Sequence, residues 1–273
     1  MIFKSYQPCQ SLREFVRNYT IINMQFADMD ASPLKQRSPK AEQKIAFYLK
    51  GSPLISSPSS GEKHIPPNVS IYSHQIEQKD LKLSADFFAF IIFLKPGVLH
   101  RLLRLPMNQL SGVAVDAELF FGSEVRQISE QLEAAGTYSS MVAVADNFLA
   151  RKCTQLKMND PLDCIATGLL SDPVNFSLNE VARQACMSPR QFFRRFTEHI
   201  GITPKLFSRL SRFNLAYKYK IDHPLISWSA IALEFGYTDS HHLDKEFKEF
   251  SGRTPQEWLN THLNAPERIL RLR

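Results

Sequence analysis

The chain has 273 residues, 33 of them Lys or Arg against 27 Asp or Glu, giving a formal charge of +6; at the usual ~100 to 200 residues per domain it is long enough for two domains. With 44% apolar and 22% charged residues it has the balance of a globular protein with a real core, which excludes global disorder. Its ten glycines never stand closer than the ten-residue step from Gly51 to Gly61, so neither GxGxxG nor GxxxxGK(S/T) can occur and the standard phosphate-cradling nucleotide folds are excluded.

The N-terminal stretch MIFKSYQPCQSLREF has no continuous apolar region of the kind a secretory signal needs. Up to about residue 95 the chain alternates β-rich runs (Tyr19 to Phe26, Lys44 to Lys50, Val69 to His74, Phe87 to Leu94) with polar loops such as SPLISSPSSG, and this predicts a small β domain. The longest apolar run, Phe87 to Leu94, is fenced by Asp86 and Lys95 and falls far short of the ~20 residues of a membrane helix. A cytoplasmic protein with no membrane partner is expected. Pro96-Gly97 breaks the last strand, after which VLHRLLRL, SEVRQISEQLEAA and YSSMVAVADNFLARK carry apolar residues at helical spacing. Asp160-Pro161 reads as a boundary, giving domains over 1–160 and 161–273, and from Asp172-Pro173 the pattern is helical to nearly the end.

His64, His74 and His100 show no HxH or HExxH spacing, and Cys9, Cys153, Cys164 and Cys186 form no CxxC pair. They read as satisfied histidines and free, partly buried thiols, so no metal, no cofactor and no catalytic residue is predicted. Phe47, Tyr48, Tyr72, Phe90 and Phe93 could line a pocket, but aromatic residues in strands are more often core, and no effector site is assigned.

Charge and repetition single out the last third. From Arg183 to Lys220 there are nine Lys or Arg and one acid, Glu198, whereas residues 221–273 carry six basic and eight acidic side chains. The same region repeats at an interval of about 51 residues. Ser177, Val181 and Ala182 match Ser227, Ile231 and Ala232 at an offset of 50, and Phe196, Gly201, Thr203 and Pro204 match Phe247, Gly252, Thr254 and Pro255 at 51, with the extra residue near Thr238-Asp239. Each copy is punctuated as helix, tight turn, helix and glycine stop: Ser177 with Glu180, Ser188-Pro189 with Gln191, then Gly201. The stripes Phe192, Phe196, Ile200 and Leu243, Phe247, Phe250 give each second helix one buried face. The pattern is a helix-turn-helix, twice, over about 177–200 and 227–251.

A recognition helix reads base edges from the face opposite its core stripe. Arg190, Phe193 and Arg194 occupy that face in the first unit, and Ser240, His241, Asp244 and Lys245 in the second. Arg183, Arg195, Lys205, Arg209, Arg212 and His242 are candidate phosphate contacts. Asp244 and Glu246 would repel phosphate, so the first unit should anchor and the second tune.

The segment IALEFGYTDSHHLDKEFKEFSGRTPQEW resembles the second helix-turn-helix signature of AraC/XylS-type bacterial transcription regulators, and residues from about Asn175 to Leu259 are similar throughout to their two-unit domain. The resemblance implies seven helices, with Pro204 to about Ile221 joining two units that address successive major grooves. FLKPGVLHRLLRLPMNQL is similar, more loosely, to the companion domain of one AraC-type subgroup. The predicted fold is therefore an α+β N-terminal domain, sensory or regulatory, plus an all-α C-terminal domain that binds double-stranded DNA. RNA polymerase, a small-molecule effector and a second copy of the chain are further candidate partners. Two rival functions fit less of the pattern: a cupin-like metal enzyme with an appended DNA-binding domain, and a helical protein-docking adaptor.

Overall fold

The computed structural model describes residues 1–27, 32, 34–110, 112–154, 156 and 160–263. The four β-rich runs become β2 (Val16–Gln25), β4 (Gln43–Lys50), β7 (Val69–Tyr72) and β9 (Asp86–Leu94). With β1 (Ile2–Tyr6) and β10 (Ala114–Asp116) they build a six-stranded sheet in the order β1-β2-β9-β4-β7-β10, every ladder antiparallel. A second sheet, β3-β8-β5-β6, uses β3 (Lys35–Arg37), β5 (Leu54–Ser56), β6 (Lys63–His64) and β8 (Lys79–Lys82). The expectation of a plain loop at SPLISSPSSG is corrected here: Leu54, Ile55 and Ser56 pair with β8 as a strand.

Period-two alternation splits the large sheet into two apolar faces. Tyr19, Ile21, Ile45, Phe47, Phe90 and Ile92 are fully buried on one face, in one core with residues of α3 (Glu124–Ala134) and α4 (Tyr138–Cys153). Met24, Ala46, Phe87, Ala89 and Ile91 form the other face, joined by Leu83 just beyond β8. β9 ends where Pro96 removes a donor and Gly97 turns at φ 77°, and α1 (Val98–Leu103) follows, then the short α2 (Glu118–Phe121).

The C-terminal part packs α5 (Pro161–Ser171), α6 (Leu178–Gln184), α7 (Pro189–Ile200), α8 (Pro204–Asp222), α9 (Trp228–Glu234), α10 (Ser240–Ser251) and α11 (Pro255–Leu263) around a second core. Phe192, Phe196, Phe207, Phe213 and Phe247 are fully buried there, each stabilising by about 1.5–3 kcal/mol. Leu162, Ala166 and Leu169 of α5 belong to the same core, so the helical unit starts before Asp172-Pro173. Asp160 caps α5 by accepting from Leu162 N at 2.8 Å, with Pro161 at the first helical position. Cys153 is buried, whereas Cys9, Cys164 and Cys186 are exposed rather than partly buried. No helix among the described residues is long and apolar enough to cross a membrane.

Candidate nucleic-acid interface

The two helix-turn-helix units are built by local signals. In the first, Ser177 Oγ and Ser188 Oγ accept from the backbone N–H groups of Glu180 and Gln191, and Gly201, at φ 109°, ends α7. In the second, Ser227 and Asp239 cap α9 and α10, and Gly252 ends α10. Each turn needs one residue in the left-handed region. Gly236 fills it in the second copy at φ 68°, and its counterpart at offset 50 is Cys186 at φ 53°. The N–H groups of Met187 and Tyr237 close the turns by donating to Ala182 O and Ala232 O. Ala182 and Ala232 are fully buried, where the paired helices meet. The extra residue of the second copy falls at Thr238, between the turn and the Asp239 cap.

On α7 the arginines Arg190, Arg194 and Arg195 are all exposed, and among the described residues none of them has an ion-pair partner. Phe193 is 44% exposed, which takes it out of the core and onto the outward face. Ser240, His241, His242 and Lys245 are exposed on α10, and Asp244 is half-buried. The His242 ring stands edge-on to Tyr237 at 5.3 Å between centroids. Arg183 pairs with Glu180 at 2.8 Å on a highly exposed face, an arrangement that costs little to break. Lys205, Arg209, Arg212, His242 and Lys245 line one groove of about 550 Å³, so five expected contacts from α8 and α10 converge there.

Arg209 and Arg212 are engaged differently from the expectation. Arg209 Nε and Arg212 Nη2 each donate to Glu246 Oε2 at 2.9 Å, Arg209 also forks onto Glu249, and Tyr237 OH donates to Glu246 Oε1 at 2.7 Å. Glu246 is 3% exposed and, although it lines that groove, both its oxygens are occupied, so it is not the free groove-facing acid expected. The reason is the joining helix: α8 brings two guanidiniums against α10, and a buried carboxylate compensates them. At offset 51 the counterpart of Glu246 is the exposed Arg195, so one repeat position serves as surface charge in one unit and internal anchor in the other.

The N-terminal domain holds the end of α7. Ile200 O, the last carbonyl of that helix, accepts from Gln43 Nε2 at 3.1 Å and from His74 Nε2 at 2.8 Å, which fixes the His74 tautomer with its proton on Nε2. His199 Nε2 lies 2.5 Å from Asp163 Oδ1, Arg101 Nη2 lies 2.9 Å from Asp163 Oδ2, and the His100 ring packs at 4.4 Å from that of His199. Gly97 is required at this seam, because a Cβ there would sit 1.7 Å from Asp163 Oδ1 and 2.6 Å from His199 Nε2. Sequence reading did not find Gln43, Asp163 or His199; they meet only through the docking of the two domains.

Burial lowers the His74 pKa to about 4. Between the ordinary value of about 6.5 and about 4 the unfolded chain takes up a proton that the folded chain refuses, so stability falls as pH falls through that window. Unfolding free energy is expected to drop by roughly 2 kcal/mol between pH 6.5 and 5, and His74→Gln should flatten this slope in urea titrations at each pH. An unchanged slope in the variant would place the titration elsewhere.

Comparison with known proteins gives matches on both halves. Residues 181–261 match the family model of a helix-turn-helix domain, and residues 4–116 match that of a Domain of unknown function (DUF6597). An uncharacterized HTH-type transcriptional regulator of Haemophilus influenzae is 28% identical over 117 residues, or 42% of this chain. The match spans only 39% of that relative's length. Among solved structures, apo ToxT from Vibrio cholerae is 14% identical with a TM-score of 0.49, covering 89% of this chain and 97% of that one. ToxT with an unsaturated fatty acid bound is 14% identical with a TM-score of 0.48, covering 89% and 94%. The DNA-binding domain of AdpA in complex with a target DNA is 24% identical with a TM-score of 0.35, covering 39% of this chain and 96% of that one.

Proposed function

We propose that residues 181–261, which match the family model of a helix-turn-helix domain, are a DNA-binding domain of the AraC/XylS type, and that the chain is a sequence-specific DNA-binding transcription regulator that places α7 and α10 in successive major grooves and responds to an effector through its N-terminal half. The observation that carries this reading is the outward face of α7, where Arg190, Phe193, Arg194 and Arg195 are all exposed on a helix whose other face is fully buried. A solvated helix has no need of an exposed Phe among three arginines. A groove-reading helix does, since Arg can bridge guanine O6 and N7 and Phe can pack on a thymine methyl.

In this reading Arg190, Phe193 and Arg194 read bases in the first half-site, and Ser240, His241, Asp244 and Lys245 read the second. Arg183, Arg195, Lys205 and His242 hold phosphates. Arg209 and Arg212 contribute to the positive field of the Lys205, His242 and Lys245 groove while remaining paired with Glu246. The same reading carries RNA polymerase as downstream partner, a second copy of the chain as candidate assembly partner, residues 1–160 as the regulatory unit, and cytoplasmic residence.

Selection of bound duplexes from a random pool by the full chain tests it. Two conserved base clusters about one helical turn apart are expected, with affinity falling steeply in salt as counterions are released. Retention without any enriched sequence would turn the reading towards a docking adaptor. Repeating the selection with Asp244→Asn separates the half-sites. Glu246 being internal, Asp244 is the acid left on the reading face of α10, and a carboxylate there is productive only by accepting from cytosine N4 or orienting Lys245. The variant should bind unrelated DNA roughly threefold tighter and lose discrimination in the second cluster alone. Unchanged affinity for unrelated DNA would mean that Asp244 points away from the groove.

A further inference from the structure

The two helix-turn-helix units share one apolar plan but are fastened by different polar contacts. At the repeat offset of 51, the exposed Arg195 of α7 stands where α10 has the buried Glu246, and the buried His199 stands where α10 has Phe250. Phe250 stays within its own domain, its ring 5.3 Å from that of Phe213 on α8. Glu246 likewise ties α10 to α8, through Arg209 and Arg212. α7 has neither device. Phe196 packs on Phe207 of α8 at 5.7 Å between centroids, but apolar contact is non-directional, whereas hydrogen bonds and ion pairs fix distance and angle.

The polar contacts of the last turn of α7 lead to the N-terminal domain instead. Asp163, in the first turn of α5, is the common acceptor: Arg101 Nη2 from α1 approaches Oδ2 at 2.9 Å, and His199 Nε2 from α7 approaches Oδ1 at 2.5 Å. One residue on, Ile200 O accepts from Gln43 Nε2 and His74 Nε2, and the short segment Met107–Leu110 packs against the same helix. The three side chains at the Asp163 joint are nearly closed to solvent, Arg101 the most open at 14%, so none of them is a DNA contact. At the matching point of α10, Ser251 Oγ turns back on Phe247 O within the helix, and an added Cβ at Gly252 would meet Gln78 Oε1 at 3.8 Å, in ordinary contact.

We propose that the two recognition helices take their positions from different places, α10 from α8 through Glu246 and α7 from the N-terminal domain through the Arg101–Asp163–His199 joint and the Ile200 carbonyl, so that a change in the N-terminal domain is delivered to the first half-site alone. Arg101, Asp163 and His199 are then positioning residues for the base reading done by Arg190 and Arg194 on the same helix. This inference rests on the DNA-binding reading given above and adds which part of the chain sets which half-site.

The test uses the full chain, its selected duplex and a panel of single-base variants covering both clusters, titrated at one salt concentration. Arg101→Met keeps most of the side chain's length and removes its charge. It should reduce discrimination in the first cluster by roughly fivefold or more, part of what a bidentate contact supplies, and leave the second cluster unchanged. Arg101→Lys restores a cation opposite Asp163 and should return most of the first-cluster preference, whereas a side chain that only fills space would be served equally by Met. Glu246→Gln should do the reverse, relaxing the second cluster and sparing the first. Circular dichroism and the fluorescence of Trp228 and Trp258 in urea show whether each variant is folded. Should Arg101→Met fail that check, Gln43→Leu, which removes one donor from Ile200 O at similar volume, carries the same expectation. Equal losses in both clusters, intact preferences in the folded variant, an Arg101→Lys chain no better than Arg101→Met, or a Glu246→Gln chain that disturbs the first cluster would overturn the inference. A duplex pool that yields no enriched motif refutes the regulator itself, whereas two enriched clusters that respond alike refute only their separate positioning.

Discussion

Glu246→Ala is expected to destabilise the C-terminal domain by about 3–5 kcal/mol, the cost of removing one partner from a buried charged network. Glu246 Oε2 accepts from both Arg209 and Arg212, and Oε1 accepts from Tyr237 OH. Arg209 would keep Glu249, but Arg212, with a side chain 15% exposed, would keep Tyr237 alone among the described residues, its ring 4.2 Å away. Tyr237, whose hydroxyl pKa is raised by burial and by the adjacent carboxylate, would keep its proton and lose its acceptor. Glu246→Gln preserves an acceptor for Tyr237 and should cost less. Replacing Arg212 by Leu and Tyr237 by Phe together with Glu246→Leu should recover most of the loss, because a matched apolar set needs no compensation. The chain's two tryptophans, Trp228 and Trp258, both lie in this domain, so their fluorescence in urea follows its unfolding directly. A midpoint for Glu246→Ala within about 0.5 kcal/mol of the parent would show that the network is not what fastens α8 to α10.

That network also marks the limit of sequence reading. The helix-turn-helix copies are legible because their signals are local: a capping serine, Pro189 one step later, a glycine stop at Gly201 and again at Gly252. The four central strands are legible because both of their faces are buried, which forces long apolar runs such as Phe87 to Leu94. β5 and β6 are two or three residues long and flanked by Ser, Pro and Gly, so nothing in their composition separates them from loop. Glu246 reads as a groove-facing acid because its helix face alone is ambiguous; only the approach of Arg209 and Arg212, 37 and 34 positions earlier, decides it. The seam is less legible still, since His74 and Gln43 reach Ile200 across 126 and 157 residues.

Arg194→Ala and Arg195→Ala, adjacent on α7, are expected to fail in different ways. Both side chains are exposed and neither makes an ion pair among the described residues, so each substitution should leave stability within about 0.5 kcal/mol of the parent. Any change in DNA binding is then a change in contact, not in folding. Successive helical residues are turned about 100 degrees from one another. Arg194 shares its face with Arg190, one turn earlier, opposite the buried Phe192 and Phe196, and points where base edges lie. Arg195 is rotated towards the flank, where the sugar-phosphate wall stands. Losing a bidentate guanine contact costs about 1–3 kcal/mol for the preferred base and little for the others, so Arg194→Ala should flatten preference at one position of the first cluster and weaken the best site by roughly tenfold or more. Losing a phosphate contact lowers affinity for every sequence alike and reduces the slope of log affinity against log salt by about 0.9, which is the result expected for Arg195→Ala. Salt titrations on the selected duplex and on a panel of single-base variants separate the two. If Arg194→Ala weakens all variants equally and Arg195→Ala changes preference, the helix sits in the groove rotated by one residue from the orientation its buried stripe implies, and the half-site assignments of Phe193 and Arg190 rotate with it.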